Sequence, residues 1–188
     1  MDFAEKIEGN RIILERARPS FKLAEELLVL VEESRTHLLP WLPWANKNKT
    51  PEDEYAWLFD WCEKNWNEKL GYAYIIREKN SGKLLGSIDF IEVNETHKTG
   101  EIGYWLRSSA VGNGYMHEAL LLLEKEGFKQ GLNRIVIRND PRNIRSGNVA
   151  ERAGFHLDGV LRQDRYSDDE KLFADTNVWS KLKSEYKG

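Results

Sequence analysis

The order of apolar and polar positions divides the chain into segments of period two and segments of helical period. Arg11 to Ala17 reads RIILERA, with Ile12 and Leu14 alternating with polar neighbours, which predicts a strand. Pro19 and Ser20 then open a helix through about Glu33, with Leu23, Leu27, Leu30 and Val31 at helical spacing. His37 to Trp44 reads HLLPWLPW, and its two prolines exclude a regular helix. Thr50, Pro51, Glu52 and Asp53 start a second helix, with proline at the first position and acids in the first turn. That helix runs to about Asn67 and carries Trp57, Trp61 and Cys62 on one side.

Three strands follow at Tyr72–Arg77, Leu84–Val93 and Glu101–Leu106, the first two joined by an Asn80-Ser81-Gly82 hairpin turn. A helix spans Tyr115 to Gln130 and ends at Gly131. Arg134–Arg138 is a strand, Asn143–Ala153 a short helix ended by Gly154, and Phe155–Leu161 and Leu172–Leu182 are the last strands. This order is neither doubly wound nor a sandwich. It predicts a largely antiparallel sheet with one strand–helix–strand crossover near the middle. No repeat and no Pro/Gly/Ser-rich linker interrupts it, so residues 1–188 read as a single domain.

Composition narrows the class. The 188 residues hold 28 Lys plus Arg against 31 Asp plus Glu, and the net charge of −3 argues against direct nucleic-acid binding, which needs a basic face. No apolar run approaches the roughly 18 residues of a spanning helix, so no membrane partner is expected. Residues 1–20 carry Asp2, Glu5, Glu8, Arg11 and Glu15 and no apolar stretch typical of a secretory signal. The single cysteine, Cys62, excludes an intramolecular disulfide and a cysteine-built zinc site. His37, His97 and His156 lack metal-ligand spacing and read as surface or structural. A cytoplasmic protein without a metal is the expectation.

The chemistry concentrates in Gly103 to Leu120, GYWLRSSAVGNGYMHEAL. A strand ends, Val111-Gly112-Asn113-Gly114 turns, and an apolar helix begins. A helix start leaves backbone N–H groups unpaired, its dipole favours negative charge, and glycines let an anion approach closely. The segment lacks the Gly-Lys-Ser/Thr of a Walker loop and the spacing of a dinucleotide-binding fold. By itself it fits a pyrophosphate cradle or an ordinary glycine turn equally well. Asn143 and Ser146, about 30 residues on, suit the start of the next helix and by themselves read as caps.

Together the two segments resemble the GNAT superfamily of acetyl-CoA-dependent N-acetyltransferases, and within it the Rim-type ribosomal-protein N-acetyltransferases. The resemblance covers nearly the whole chain. Arg11-Ile12-Ile13-Leu14 matches the opening strand, and His37 to Trp44 the Rim-type proline–tryptophan segment. Gly103 to Leu106 and Gly112 to Ala119 match the cofactor segment. Asn143, Ser146, Gly154-Phe155, Asp158-Gly159, Asp175 and Trp179 match the closing segments.

The resemblance implies a mixed α/β fold, a largely antiparallel sheet of about seven strands flanked by about four helices. It implies acetyl-CoA as cosubstrate and a primary amine, a protein N-terminus or a small molecule, as acceptor; a homodimer is a family-level expectation. The strand at Trp105, Leu106 and Arg107 would splay from its neighbour and pair with the pantetheine arm, with a backbone N–H near Leu106 polarising the thioester carbonyl. Gly112, Asn113, Gly114, Tyr115 and Met116 would hold the pyrophosphate, and Asn143 and Ser146 would lie near the thiol. Ser146 is the candidate partner of the departing thiolate. Glu101 leads as proton acceptor, Asp164 is second and His117 third, because the carboxylate used as base in some Rim-type enzymes aligns with Arg165 here. Trp41 and Trp44 are candidates for the acceptor cleft. Val111 and Met116 depart from the superfamily's phosphate-loop pattern, which leaves open a non-catalytic acetyl-CoA-binding module. The acids Asp164, Asp168, Asp169 and Glu170 read as a solvated loop that also attracts a cationic acceptor at long range.

Overall fold

The structure, a computed structural model, describes residues 1–167 and 170–187. Eight strands form one sheet in the order β1-β2-β3-β4-β5-β6-β8-β7. They are β1 (Lys6–Glu8), β2 (Ile12–Arg16), β3 (Tyr72–Glu78), β4 (Leu84–Asn94), β5 (Thr99–Leu106), β6 (Arg134–Asn139), β7 (His156–Ser167) and β8 (Leu172–Leu182). All neighbours are antiparallel except β5 and β6, which are parallel and joined by the crossover helix α4 (Tyr115–Lys129). Helix α5 (Ile144–Arg152) follows β6.

The mixed, mostly antiparallel sheet is as the sequence predicts, with one strand added. β1 has a single apolar residue, Ile7, and forms because Lys6 to Glu8 pair with Ile13 to Glu15 on β2. Its stability comes from its partner and leaves little local signal.

Both sheet faces are covered. Strand β3 is buried over Tyr72 to Ile76 because its side chains alternate between two cores. Tyr72, Tyr74 and Ile76 join Leu120 and Leu123 of α4 in one core. Ala73 and Ile75 join Leu23, Leu27 and Leu30 of α1 (Phe21–Leu38) in the other. Ser20 caps α1, its side chain accepting from the Leu23 N–H at 3.2 Å. The helix continues past Glu33 to Leu38 because Ser34 and Leu38 are buried, and it stops just before Pro40.

The second helical rod differs more. It begins as expected, with Thr50 and Asp53 forming a reciprocal capping box and Pro51 at the first position of α2 (Pro51–Ala56). It then widens into a π segment, Trp57–Glu63, before ending as α3 (Lys64–Glu68). Helical spacing of apolar residues does not distinguish a π turn from an α turn over seven residues, and such segments are frequent at functional sites.

The decisive feature of the sheet lies at its centre. β5 pairs with β6 only from Thr99↔Arg134 to Ile102↔Ile137. Beyond that point β5 stays on β4 through Leu106↔Gly86, and β6 stays on β8 through Asn139↔Asn177. The two central strands therefore separate, and a cleft opens between them. Gly86 is required where β5 meets β4, since a Cβ there would lie 2.1 Å from the Trp105 carbonyl oxygen.

Candidate active site

The cleft leads into a cavity of about 810 Å³. Three groups of residues line it: the turn into α4, the mouth of the split sheet, and an arm walled by tryptophans.

At the first, Gly112 and Gly114 adopt left-handed backbone conformations, φ 86° and 77°. Nothing lies within 4 Å of a Cβ built on Gly112. Gly114 is the N-cap of α4 and no side chain among the described residues caps the helix, so its first N–H groups remain available. Arg11 holds the turn from outside. Its Nη1 donates to the Asn113 carbonyl at 2.8 Å, and its Nε to Glu118 at 2.8 Å. Gly112, Gly114, Tyr115 and Met116 line the cavity, with His117 beyond them. The Nδ1 of His117 is buried without a partner among the described residues, and burial lowers the pKa of the ring. Met116, which stands where the superfamily has a small residue, sends its side chain into the core and leaves the backbone clear. An uncapped 15-residue helix with an open glycine turn fits a pyrophosphate.

At the mouth of the split, Tyr104 and Ser146 meet. The Tyr104 hydroxyl donates to the Ser146 carbonyl at 3.1 Å and lies 3.2 Å from Ser146 Oγ. Burial pushes the Tyr104 phenol up to about 12, so it stays protonated. Asn143 accepts from the Ser146 N–H at 3.2 Å and so does cap α5. Trp179 fixes this turn from the next strand, its indole N–H donating to Asn139 Oδ1 at 2.8 Å while Asn139 Nδ2 donates to the Asn143 carbonyl.

The third group forms the far arm. Trp41, Trp44, Trp57, Trp61 and Trp105 all line it. Trp44 meets Trp105 edge-on, with ring centroids 5.6 Å apart, and Trp57 stacks on Trp61 within 7° of parallel. Glu101 lines the arm, held by Arg138 at 3.2 Å and raised in pKa mainly by burial. Arg165 lines it too, bound at 2.8 Å to Asp140. Arg142 also binds Asp140, and the two arginines together hold that carboxyl at about 2, against its burial.

Two further carboxylates in the arm escape sequence reasoning. Asp89 stands across the ladder from Gly103, and burial raises it to about 7. Ser87 donates to it at 2.7 Å. Glu54 is buried in α2, receives Asn48 Nδ2 at 3.1 Å, and is likewise raised by burial. Each sits in a segment that reads as structural, Asp89 inside an apolar strand and Glu54 in a polar first turn. Only the strand register and the helix packing turn them inward. Tyr104 was visible in the cofactor motif, but its hydroxyl contact was not.

Arg107, Asn113 and Asp164 fall outside the lining. Arg107 gives its backbone N–H to the Leu85 carbonyl at 2.8 Å and its guanidinium to Glu33. Asn113 turns its side chain back onto its own loop. Asp164 is exposed on β7, although its charge reaches Glu101. His37, read from sequence as surface or structural, lines the arm and is half-buried. Cys62 is buried, and burial raises its thiol well above the ordinary range. Of the acidic loop, Asp168 and Asp169 lie outside the described residues, and Glu170 pairs with Arg142 at 2.8 Å.

Comparison with known proteins identifies the family. A family model described as the acetyltransferase (GNAT) domain matches residues 11–156. The chain belongs to the GNAT acetyltransferase family. It is 35% identical over 113 residues to the ribosomal-protein-serine acetyltransferase of Escherichia coli (strain K12), a match covering 60% of this chain and 62% of that protein. The match thus spans less than two thirds of that relative's length. The crystal structure of the microcin C7 self-immunity acetyltransferase MccE, in complex with acetyl-CoA and AMP, superposes with a TM-score of 0.84. It is 28% identical and covers 93% of each chain. The ribosomal L7/L12 α-N-protein acetyltransferase RimL, in complex with coenzyme A, shares the fold at a TM-score of 0.87 and 24% identity, covering 97% of this chain and all of that one. No helix among the described residues is long and apolar enough to cross a membrane.

Proposed function

We propose that this chain is an N-acetyltransferase that moves an acetyl group from acetyl-CoA to a primary amine, the N-terminal α-amine of a protein, with residues 1–188 acting as one domain in the cytoplasm. The observation that carries the reading is the continuity of the cavity. One space joins the uncapped start of α4, the β5–β6 split and an aromatic arm.

When bound, acetyl-CoA supplies the activated acetyl group, and this chain's residues orient it and handle protons. The N–H groups at Gly112 to Met116 receive the pyrophosphate, as donors at a helix start do. The unpaired edge of β5 from Gly103 to Leu106 offers backbone groups to an extended amide chain. Ser146, supported by Tyr104, stands ready to hydrogen-bond the departing sulfur. Its task is light, because a thiol with a pKa of about 8.5 needs little acid help.

The acceptor must lose a proton before it attacks. At pH 7 this costs about 1.4 kcal/mol for an α-amine with a pKa near 8, and about 4.6 kcal/mol for a lysine near 10.4. Glu101 is the acceptor of that proton in this reading, directly or through water, with Asp164 in reserve. Arg138 holds Glu101 in place, and burial raises its pKa above the ordinary carboxylate range, which makes it a better proton acceptor than a free carboxylate. The E. coli relative, named for a ribosomal-protein serine, supports the same acceptor class. A small-molecule amine is the second reading, supported by the likeness to the microcin-immunity enzyme.

Thiol release from acetyl-CoA tests the proposal directly. The panel is peptides with N-terminal Ser or Ala, polyamines and aminoglycosides, with mass spectrometry of the products. Acetylation of a peptide α-amine is the expected result. Turnover confined to a polyamine or aminoglycoside replaces the acceptor with the second reading. Binding of acetyl-CoA without turnover of any amine rejects the transferase in favour of a binding module.

A further inference from the structure

The turn into α4 carries a side chain that its backbone does not explain. His117 is the third residue of α4. A helical side chain leans toward the N-terminus of its helix, so the imidazole belongs over the turn that holds the free N–H groups. It lines the cavity together with Gly112 and Gly114. Its Nδ1 is buried and has no hydrogen-bond partner among the described residues, which is costly unless something that enters the cavity completes it.

Both charges that act on the ring are positive, Arg152 of α5 and Lys181 of β8. Lys181 is bound to Glu124 at 2.8 Å and to the Ala153 carbonyl at 2.7 Å. Arg152 lines the cavity and makes no ion pair among the described residues; its Nε donates to the Asn148 carbonyl at 2.9 Å. The other charged groups on elements packed against α4 are paired among themselves, Arg11 with Glu118 and, on β1, Lys6 with Glu8. On β5 the Tyr104 phenol stays protonated.

We propose that His117 is a ligand of the phosphate groups of acetyl-CoA and takes up a proton as they bind, with Arg152 as the fixed cation beside it. The proposal rests on the acetyltransferase reading and adds to it a residue that ties cofactor affinity to pH.

The charge balance calls for such a residue. A helix start supplies about half a positive charge, whereas a pyrophosphate diester carries a full negative charge on each phosphate. The turn adds no free cation of its own. Val111 packs against the core, and Arg11 is taken by Glu118. Before the cofactor binds, burial and the two neighbouring cations disfavour the protonated ring. Phosphates reverse that balance, since an opposite charge close by favours the charged form. With both ring nitrogens protonated, the buried Nδ1 donates to a phosphate oxygen. The affinity gained is full below the midpoint of the cofactor-free ring and is lost as pH rises through the midpoint of the bound one. A histidine with only a structural role would titrate alike with and without the cofactor.

Nuclear magnetic resonance of the four histidine rings in the unaltered chain, followed across pH with and without coenzyme A, tests this. The His117 signal is assigned by its loss in His117→Gln, or by elimination against His37, His97 and His156. The expected midpoint lies below the ordinary histidine value of 6.5 without coenzyme A and rises by about one pH unit or more on saturation, while that of exposed His156 stays in place. Calorimetry then gives the affinity. The advantage of the unaltered chain over His117→Gln should grow about fivefold from pH 8 to pH 5.5, and comparing the two cancels the titration of the cofactor's own phosphate. His156→Gln should match the unaltered chain at both pH values. A His117 midpoint that coenzyme A leaves unmoved or lowers, or the same pH dependence in His117→Gln, overturns the proposal and leaves the acetyltransferase. Absence of coenzyme A binding at either pH overturns both.

Discussion

The hydroxyls of Tyr104 and Ser146 lie 3.2 Å apart across the opening of the sheet, one from the strand that leaves β6 and one from the helix that follows β6. This contact, the Tyr104 hydrogen bond to the Ser146 carbonyl and the Arg138–Glu101 ion pair tie the two sides of the cleft. Ser146→Ala removes the hydroxyl nearest the expected sulfur and leaves the cap from Asn143 in place. Its turnover should fall about tenfold, with the KM for acetyl-CoA within about twofold of the original, since only modest acid help is required. Tyr104→Phe should have a smaller effect on kcat. Steady-state kinetics on both variants check this, and an unchanged kcat in Ser146→Ala sinks its role.

Gly112 has φ 86° with open space around it, so conformation and not crowding is what a side chain there would violate. Gly112→Ala should cost about 1–2 kcal/mol in the turn and weaken acetyl-CoA binding about tenfold. Calorimetric titration measures the affinity. Arg11→Ala should act in the same direction more weakly, because it frees the Asn113 carbonyl and Glu118 without changing the turn's own preference.

Gly86→Ala tests how β5 is placed. The new methyl meets the Trp105 carbonyl and the Leu106 backbone, none of which is a flexible side-chain end. Overpacking of this kind costs about 1–3 kcal/mol. The melting temperature should drop, and the acceptor KM should rise because Trp105 shifts with its strand.

Asp89 makes a prediction of the opposite sign. Its carboxyl is raised from 3.8 in the unfolded chain to about 7 in the fold, chiefly by burial. The folded state therefore holds more protons than the unfolded state between about pH 4 and pH 7. Its contribution to stability declines as pH rises through that window and is at its worst above pH 7. Asp89→Asn should therefore stabilise the protein at pH 8 by about 2–4 kcal/mol, and the gain should vanish near pH 4. Thermal melts of both proteins across pH check this.

Substitution in the arm tests whether its tryptophans serve the acceptor. Trp44 packs edge-on against Trp105 and partly faces the cavity. Trp44→Ala should raise the acceptor KM about tenfold and leave the acetyl-CoA affinity within about twofold. Parallel loss of both would show that Trp44 supports the whole cleft.

Much of this protein was legible along the chain because its signals are local. Ile12 and Leu14, the leucines of α1, the Thr50–Asp53 cap and the Gly112–Gly114 turn each act within one turn or one strand, where spacing alone dictates the structure. The cofactor half of the site belongs to this class, since a glycine turn that opens a helix exposes its N–H groups whatever surrounds it. Other features depend on partners distant in sequence. β1 exists because β2 pairs with it, α1 runs to Leu38 because its last turn is buried, and the π segment changes the pitch without changing the apolar pattern. The aromatic arm is mostly of this second kind, although Trp41 and Trp44 are legible in the sequence. Asp89 faces the cavity through its register with Gly103, and Glu54 through the packing of its helix on Asn48. Arg165 turns to Asp140 across 25 residues of chain. The sequence by itself determined the order of strands and helices and the glycine turn that opens α4, because periodicity, caps and turns are short-range. The tertiary structure alone decided where the sheet splits, which charges remain unpaired and what faces the acceptor, because desolvation and ion pairing arise only when distant segments come together.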